Sequence, residues 1–434
     1  MNTTTTDIPT SSVTVTTDWL RRYQSVRDHS KYLCEPLTAE DCMLQSMPDA
    51  SPIRWHLAHT TWFFETFLLA RRPGYQPFHP VYNHLFNSYY NTIGTPFPRQ
   101  KRGLLSRPTV AEVWEYRDAV DRHMIQWLTE SDLNDQEQQI LQTGLQHEQQ
   151  HQELMLTDVK HGLAINPMAP IYRNIDRAAS NSAKDFGFQL FAEEQIQGIG
   201  HEGGAFCFDN ELPRHRTLLS PFRIQTDLVT NGQYLEFIDD GGYQRPDHWL
   251  SSGWSFIQSE NIQAPLYWSD DGGQWHSYTL GGNQPIVNNE PVTHLSYFEA
   301  DAYARWSGHR LPTEFEWECA VAADQPLLHQ QRDARRSIDT LHHPTAVAHD
   351  EGVQLRGVYG HGWQWTRSDY AAYPGYQPPA GAIGEYNGKF MSGNYVLRGG
   401  SCATPPGHTR MTYRNFFAPT TRWQFTAIRL ASDV

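Results

Sequence analysis

The sequence lacks long apolar runs, an excess of positive charge and closely spaced cysteines. No segment approaches the roughly 20 consecutive apolar residues that a membrane-spanning helix needs, and the N-terminal segment has neither the basic nor the apolar region of a signal peptide. Acidic residues outnumber basic ones by 48 to 34, and the net charge of -14 argues against electrostatic binding of nucleic acid. The five cysteines form no CxxC motif, which favours reduced thiols in a cytoplasmic protein.

The sequence does contain two stretches that differ in residue composition and in the spacing of apolar residues, and they meet near residue 165. A chain of 434 residues is long enough for two or three domains with their own cores. In the second stretch Gly, Pro, Trp, Tyr and Asn are frequent, which predicts short strands and many turns. In the first stretch apolar residues recur at three- and four-residue spacing, which predicts helices over residues 17–34, 38–47, 52–70, 109–130 and 135–162.

The composition and periodicity of the two stretches predict an α+β protein with more than one domain. We expect an up-down helical bundle over residues 1–165, a linker over residues 166–190 and a mixed domain over residues 191–434. In helical bundles, metal sites form between side chains of facing helices. The bundle is therefore the place to look for one.

Local signals refine the expected bundle. Ser51 is a possible N-cap with Pro52 at the first helical position, and Thr109 followed by Glu112 resembles a capping box. Residues 73–108 are aromatic and rich in proline but show no periodicity. A loop of about 35 residues inside a compact domain is usually functional, which makes this segment a candidate binding loop or lid.

The segment HEQQHQE, which begins at His147, carries the strongest chemical signal. Side chains on an α-helix rotate by about 100° per residue, so His147 and His151 lie about 40° and one turn apart on one face. Two imidazoles so placed can hold one metal ion. Gln150 shares this face, whereas Glu153 lies about 200° round from His151 and does not. Histidines one turn apart also occur by chance on protein surfaces, so a third ligand is needed.

An earlier amphipathic helix offers that third ligand. His56 and His59 are one turn apart on it, so at least one of them can face a neighbouring helix. A lone histidine among aromatic residues is usually a hydrogen-bonded core residue, but a separate HxxxH helix favours a ligand role for one of the two. Three imidazoles without cysteine suit Fe(II), Zn(II) or Cu(II) and leave positions open for substrate.

The second half contains the motifs RLPTEFEWE, GHGWQWTRSD, VLRGGSC and YRNFF. Together they resemble the formylglycine-generating-enzyme (sulfatase-modifying-factor) fold, an irregular relative of the C-type lectin fold, over roughly residues 195–434. We expect the helix before RLPTE to end at Gly308 as its C′ residue. We also expect Arg310 and Glu316 to form an ion pair with an architectural role, because motifs shared across a fold usually mark its architecture.

The order of these elements resembles one narrower family. The segments WHLAHTTWFFE, FNSYY and HEQQHQE resemble a DinB-like four-helix bundle. Followed by the second domain, they resemble the ergothioneine-biosynthetic sulfoxide synthases, also called hercynine oxygenases, over nearly the whole chain. This resemblance implies a non-haem Fe(II) enzyme. It would use O₂ to join the sulfur of cysteine or γ-glutamylcysteine to C2 of the imidazole of Nα-trimethylhistidine (hercynine), as a sulfoxide.

The resemblance also implies individual roles around the metal. It makes His59, His147 and His151 the iron ligands, and it leaves His56 to a structural hydrogen bond between its helix and a loop. Gln150 matches a glutamine that binds the carboxylate of the trimethylated substrate in relatives. We expect Glu153 to support the site by orienting an imidazole or a neighbouring helix.

Further matches concern the substrates. Arg99 and Arg102 match two loop arginines that hold the carboxylate of the thiol, and a planar guanidinium can do so with two hydrogen bonds. Asn415 and Phe416 match substrate contacts near the end of the chain, although a relative has Trp at the second position. Phe417 stands where that relative has Asp. Without an anion at this position, the additional ammonium group of γ-glutamylcysteine lacks a partner there, which favours cysteine as the thiol.

The expected reaction needs a proton donor, and a phenol is suitable because it is protonated at neutral pH. In one branch of the family this tyrosine comes from the second domain, near Tyr373 here. The other branch uses the FNSYY segment, here Tyr89 and Tyr90. We predict Tyr90 as the donor, with Tyr89 in support.

Other functions share some of these motifs. A selenium-using homologue would have the same ones, and a DinB-like zinc thiol transferase would use a similar three-histidine bundle. A copper-dependent formylglycine-generating enzyme needs a closely spaced cysteine pair near its C-terminus, whereas Cys402 stands alone here. The sequence argues strongly against the copper enzyme and leaves the selenium-using homologue and the zinc transferase open.

Overall fold

The computed structural model describes residues 12–174, 187–334, 342–347 and 354–434. The chain forms two compact units, Met1–Met155 and Leu156–Val434. Among the described residues, no helix combines the length and the apolar character that crossing a bilayer requires. The expected linker over residues 166–190 includes residues 175–186, which lie outside the described part of the chain.

The first unit is a four-helix bundle, and its helices follow the predicted periodicity. A short helix and two 3₁₀ turns interrupt the long segment between the second and third bundle helices. The helices are α1 (Ser12–Cys34), α2 (Ile53–Phe67), the short α3 (Tyr82–Leu85), α4 (Val110–Glu130) and α5 (Asp135–Ala164), of which residues 135–155 belong to this unit. The 3₁₀ turns are Leu69–Arg71 and Arg99–Leu104.

Two local expectations for the bundle were wrong. The helix expected over residues 38–47 is a single 3₁₀ turn, Asp41–Met43, after which Leu44 is extended. Thr38 and Asp41 hydrogen-bond to each other's backbone N–H, at 2.9 and 3.2 Å, which is the reciprocal pattern of a capping box before this turn. Ser51 does not cap α2; its hydroxyl instead accepts a hydrogen bond from Arg102 at 2.9 Å.

The capping box at the start of α4 is confirmed, with Thr109 and Glu112 bonding reciprocally. A close approach fixes the distance between α2 and α5. A Cβ added to Gly144 of α5 would lie 2.6 Å from the ring of Phe64 and 2.8 Å from that of Phe63. Both rings are fully buried, so glycine lets these two helices pack in direct contact.

In its described residues, the second unit combines four small sheets with four helices. Its helices are α6 (Asn231–Asp239), α7 (Ser251–Ser259), α8 (Tyr297–Trp306) and α9 (Glu314–Ala334). Its strands are β1 (Phe188–Phe191), β2 (Gln195–Ile199), β3 (His215–Leu219), β4 (Phe222–Gln225), β5 (Trp268–Asp271), β6 (Gln274–Thr279), β7 (Gly282–Pro285), β8 (Trp363–Asp369), β9 (Tyr395–Gly399), β10 (Asn415–Phe417), β11 (Thr426–Ala427) and β12 (Ala431–Asp433).

The largest sheet of this unit has the order β10-β9-β8-β11, in which β11 runs parallel to β8 and the other pairs are antiparallel. The remaining sheets of this unit are the antiparallel sheet β1-β4-β12, the meander β5-β6-β7 and the two-stranded sheet β2-β3. Apolar side chains of β4 and α9, among them Phe222, Ile224 and Trp317, form a common core. Together with the bundle, this mixed unit confirms the α+β prediction.

Motifs of the second half have the architectural roles expected of them. Gly308 follows α8 with a φ of +75°, and the N–H of His309 bonds to the carbonyl of Ala304 at 2.8 Å, as in a Schellman C-cap. Arg310 pairs with Glu316 at 2.7 Å, as predicted. Further arginine–glutamate ion pairs are more deeply buried than this one. They join Arg398 to Glu318, Arg414 to Glu314, Arg422 to Glu299 and Arg410 to Glu211.

Candidate metal centre

Three histidines meet inside the bundle. His59 comes from α2, and His147 and His151 come from successive turns of α5. One ring nitrogen from each lies within 4.8 Å of the other two, and all three residues are buried. In the part of the chain that the structure describes, this is the one group of three or more potential ligand side chains close enough to share a metal ion.

Hydrogen bonds orient the ring of His59. Its Nδ1 donates to the backbone carbonyl of Phe86 at 2.5 Å, which leaves Nε2 with a lone pair. That nitrogen lies 3.1 Å from Nε2 of His147. Two nitrogens bound at about 2.1 Å to one metal, at right angles, would be roughly 3 Å apart. The observed spacing is therefore that of two ligands of one ion.

Burial also sets the protonation of the three rings. It lowers the pKa of His147 to about 3 and holds the pKa of His59 and of His151 well below the usual range for histidine. The neighbouring imidazoles add to this effect for His59 and His151. The rings are therefore neutral at physiological pH, which is the form that binds metal. Donor type, spacing and charge all fit a divalent transition metal.

Glu148, next to His147 and about 100° round the helix from it, secures α5 through a second set of contacts. Its carboxylate accepts hydrogen bonds from Arg27 of α1 at 2.8 Å, from Arg117 of α4 at 2.6 Å and from Ser30 at 2.6 Å. Burial by itself would raise the pKa of Glu148, but the two guanidinium groups outweigh it and lower the pKa to about 2. This residue ties three helices together, and the sequence reading missed it.

An aromatic stack connects the triad to the loop between α2 and α4. The indole of Trp55 is stacked on the imidazole of His59, with ring centroids 4.5 Å apart. The guanidinium of Arg102 lies 3.3 Å from the centroid of the same indole. Arg102 is buried, donates to the hydroxyls of Ser51 and Ser88, and contributes to the low pKa of His59. Its positive charge thus acts close to the triad.

The same loop is attached to α2 at several further points. Trp55 donates through its indole N–H to the carbonyl of Leu85 at 3.1 Å, and Trp62 donates to Asn83 at 2.9 Å. Farther along α2, Glu65 accepts hydrogen bonds from the hydroxyls of Tyr75 and Tyr116 and from the N–H of Phe78. The loop is thereby fixed to the helix that carries His59.

The predicted proton donors lie in this loop. Tyr90 is fully buried, and its ring packs against Trp62 at 5.6 Å and Phe67 at 5.2 Å. Tyr89 is stacked on Tyr90 at 4.7 Å and is partly exposed. Because Trp62 is itself stacked on His59 at 5.6 Å, the tyrosine pair belongs to the aromatic shell of the triad.

The predicted substrate contacts have different environments. Gln150 lies on α5 just before His151 and is partly buried, whereas Arg99 is exposed at the start of its 3₁₀ turn. In the second unit Asn415 begins β10, and Phe416 is stacked on Tyr370 at 4.1 Å. The structure therefore brings Arg102, rather than Arg99, to the triad of the bundle.

Tyr373, the alternative donor of the second unit, is buried in an ion-pair network. Its hydroxyl donates to Glu314 at 3.2 Å, and the guanidinium of Arg414 lies 3.9 Å from its ring centroid. All five cysteines are free thiols.

His56 contacts one of the ligand candidates from across the bundle. Its Nδ1 lies 2.7 Å from Nδ1 of His151, a contact that the sequence did not predict. Helical spacing shows that His56 and His59 can both face inwards, but it does not show what lies opposite each of them. The partner of His56 depends on how α2 and α5 pack.

Fold and site together define a two-domain protein whose helical bundle contains three histidines that could hold a metal ion. Residues 22–155 match the DinB superfamily, and residues 192–434 match the sulfatase-modifying factor enzyme 1-like domain. The hercynine oxygenase of Mycobacterium tuberculosis is 32% identical over 91% of this chain and 94% of its own length. That of Mycolicibacterium thermoresistibile is 31% identical, over 89% and 88%.

A third relative, the hercynine oxygenase of Mycolicibacterium smegmatis, is 39% identical over 52% of this chain, and that match spans 56% of the relative. The chain belongs to the hercynine oxygenase family. Its reaction class is accordingly that of an oxygenase.

Proposed function

We propose that this protein is an Fe(II)- and O₂-dependent sulfoxide synthase, which joins a cysteine-type thiol to C2 of the imidazole of Nα-trimethylhistidine. The observation that carries the proposal is the buried, neutral triad of His59, His147 and His151. The relatives named hercynine oxygenase support the trimethylated histidine as the substrate. We also propose a cytoplasmic location, which the free thiols support.

The donor set suits iron chemistry. Three neutral imidazoles hold a divalent ion and leave positions open for substrates. Fe(II) held there would supply the redox chemistry that O₂ requires and would bring the reactants together. The chain's own part is to keep the three rings neutral, orient them and exclude water, which the burial of the site and the aromatic rings around it accomplish.

Arg102 is our proposed anchor for the carboxylate of the thiol. The buried guanidinium of Arg102 lies 3.3 Å from the centroid of Trp55, and a carboxylate can accept two parallel hydrogen bonds from a guanidinium. Arg99, which is exposed and three residues earlier, would add a second positive charge at the entrance of the loop. Gln150 would donate its amide N–H to the carboxylate of trimethylhistidine, because it shares the helix face of His147.

Tyr90 is our proposed proton donor, supported by Tyr89. A phenol is ordinarily protonated at neutral pH and can transfer a proton during C–S bond formation. The stacking of Tyr89 on Tyr90, and of Trp62 on His59, supports placing this pair in the reaction.

The remaining contacts concern the choice of thiol. Asn415 and Phe416 would contact the substrates, with the aromatic face of Phe416 suited to the quaternary ammonium of trimethylhistidine. At the next position Phe417 offers no anion for the extra ammonium of γ-glutamylcysteine. Cysteine is therefore the proposed thiol.

The test is anaerobic loading of the full chain with Fe(II), followed by O₂, trimethylhistidine and either cysteine or γ-glutamylcysteine. Mass spectrometry should find the sulfoxide adduct, with more product from cysteine. The same protein loaded with Zn(II) should consume no O₂, and His147→Ala should form no product, whereas the surface variant His123→Ala should be fully active. Absence of a sulfoxide with both thiols would refute the proposal. Thiol transfer without O₂ consumption would identify a zinc transferase instead, and preference for a selenol would identify a selenium-using homologue.

A further inference from the structure

His56 is a buried imidazole of α2 that contacts the candidate metal centre without belonging to it. Its Nδ1 lies 2.7 Å from Nδ1 of His151, and the two rings are 5.0 Å apart between centroids at an angle of 57°. At this distance one nitrogen must carry a hydrogen and the other a lone pair, because two lone pairs or two N–H groups would repel each other. The contact is therefore a directional hydrogen bond between two histidines.

Metal binding would fix the direction of that bond. Nδ1 of His151 is occupied by His56, so Nε2 is the nitrogen that remains for a metal. A neutral imidazole that binds a metal through Nε2 keeps its hydrogen on Nδ1. It follows that His151 donates from Nδ1, that His56 accepts at Nδ1, and that His56 keeps its own hydrogen on Nε2.

We propose that His56 is a positioning residue, which holds the ring and the tautomer of His151 so that Nε2 of His151 is presented to the metal. The inference rests on the proposed metal-dependent function. A metal-binding histidine almost always donates its second N–H to a carboxylate, a carbonyl or water, and losing that partner typically weakens metal binding about 10- to 100-fold. His59 has the carbonyl of Phe86 for this purpose. For His151 the partner is an imidazole.

This arrangement gives α2 two tasks in one turn of helix. His59 supplies a ligand directly, and His56, three residues earlier, orients a ligand of α5 from across the bundle. Both depend on the same packing of α2 against α5, which is in direct contact at Gly144. A shift of α2 relative to α5 would therefore displace His59 from the triad and separate His151 from its hydrogen-bond partner.

Two substitutions separate the hydrogen bond from simple packing. His56→Asn keeps an acceptor close to the position of Nδ1, because the amide oxygen of asparagine is the same number of bonds from Cα. His56→Leu fills the space but offers no acceptor. Should His56→Leu fail to fold, His56→Gln replaces it, because the longer side chain carries its amide past the Nδ1 position. His123→Leu, at an exposed histidine of α4, is the matched control.

The experiment measures Co(II) binding to the metal-free full-length protein by competition with a chromophoric chelator, together with the Co(II) absorption spectrum and the melting temperature of each variant. We expect His56→Leu to bind Co(II) about 10- to 100-fold more weakly, with an altered spectrum. We expect His56→Asn and His123→Leu to stay close to the wild type in affinity and spectrum.

Wild-type affinity and spectrum in His56→Leu would overturn the inference. Equal losses in His56→Leu and His56→Asn, at unchanged melting temperatures, would overturn it as well, because ring volume rather than the hydrogen bond would then control binding. If the wild type itself binds no Co(II), the proposed function fails and the inference fails with it. The earlier outcomes leave the proposed function intact.

Discussion

Replacing Glu148 by glutamine should destabilise the bundle more than any conservative change on its surface. Glutamine keeps the shape of the side chain but removes the negative charge that faces Arg27 and Arg117. Both arginines are almost fully buried, with 3% and 1% of their side chains exposed. After the change, Arg27 still has Asp121 at 2.8 Å, whereas Arg117 loses its ion-pair partner at 2.6 Å.

Removing one partner of a buried ion pair typically costs about 3–5 kcal/mol in the free energy of unfolding, because the other charge stays buried without compensation. We expect about 3 kcal/mol, the lower end, since Asp121 continues to neutralise Arg27. For a unit of about 150 residues, 1 kcal/mol corresponds to roughly 2–4 °C in melting temperature. Glu148→Gln should therefore lower the melting temperature of the bundle by about 6–12 °C.

Differential scanning calorimetry of the metal-free protein at neutral pH, with helix content followed by circular dichroism, would measure this shift. Glu130→Gln, at an exposed glutamate of α4, is the control, and it should change the free energy of unfolding by no more than about 0.5 kcal/mol. A shift below about 2 °C for Glu148→Gln would contradict the reasoning, because it would mean that the buried charges are compensated by other groups.

Three further changes test other parts of the site. Gly144→Ala should destabilise the bundle by about 1–3 kcal/mol in chemical denaturation, because the new Cβ would lie 2.6 Å from Phe64. This cost should exceed the gain from the higher helix propensity of alanine, and a stabilised variant would contradict the close packing. In steady-state assays, Arg102→Lys should raise the KM for the thiol much more than it lowers kcat, because lysine cannot form two parallel hydrogen bonds or stack on Trp55. An unchanged KM would refute the proposed binding of the thiol's carboxylate by Arg102. Tyr90→Phe should shift the product from the sulfoxide adduct towards the sulfinate of the thiol, measured by mass spectrometry, and an unchanged product ratio would exclude Tyr90 as the donor.

Periodicity within single helices was enough to predict most of the bundle. Apolar spacing predicted the four long helices, and the reciprocal pair of Thr109 and Glu112 marked the start of α4 correctly. Helical geometry also placed His147 and His151 on one face, and the family resemblance selected His59 as the third member of the group. The helix expected over residues 38–47 was wrong because apolar spacing did not show that the backbone becomes extended at Leu44, after one 3₁₀ turn.

Contacts between helices could not be predicted in this way. The rotation of a residue about its own helix says nothing about which side chain lies opposite. The arginines that pair with Glu148 come from α1 and α4, and the imidazole that bonds to His151 comes from α2. Periodicity marks such residues only as polar positions on helix faces that are expected to be buried. An acidic residue next to a candidate ligand histidine on such a face is the one sequence signal that would have drawn attention to Glu148.

The carbonyl of Phe86 has a consequence for any attempt to exchange the long loop between relatives. Because this backbone atom fixes the ring of His59, the loop contributes to the inner structure of the metal site through its main chain, which side-chain substitution cannot remove. An inserted or deleted residue near Phe86 would displace that carbonyl and turn the imidazole. Loop transplantation aimed at a new thiol specificity would therefore have to preserve the spacing between Phe86 and Arg102, or it would alter metal affinity along with substrate choice.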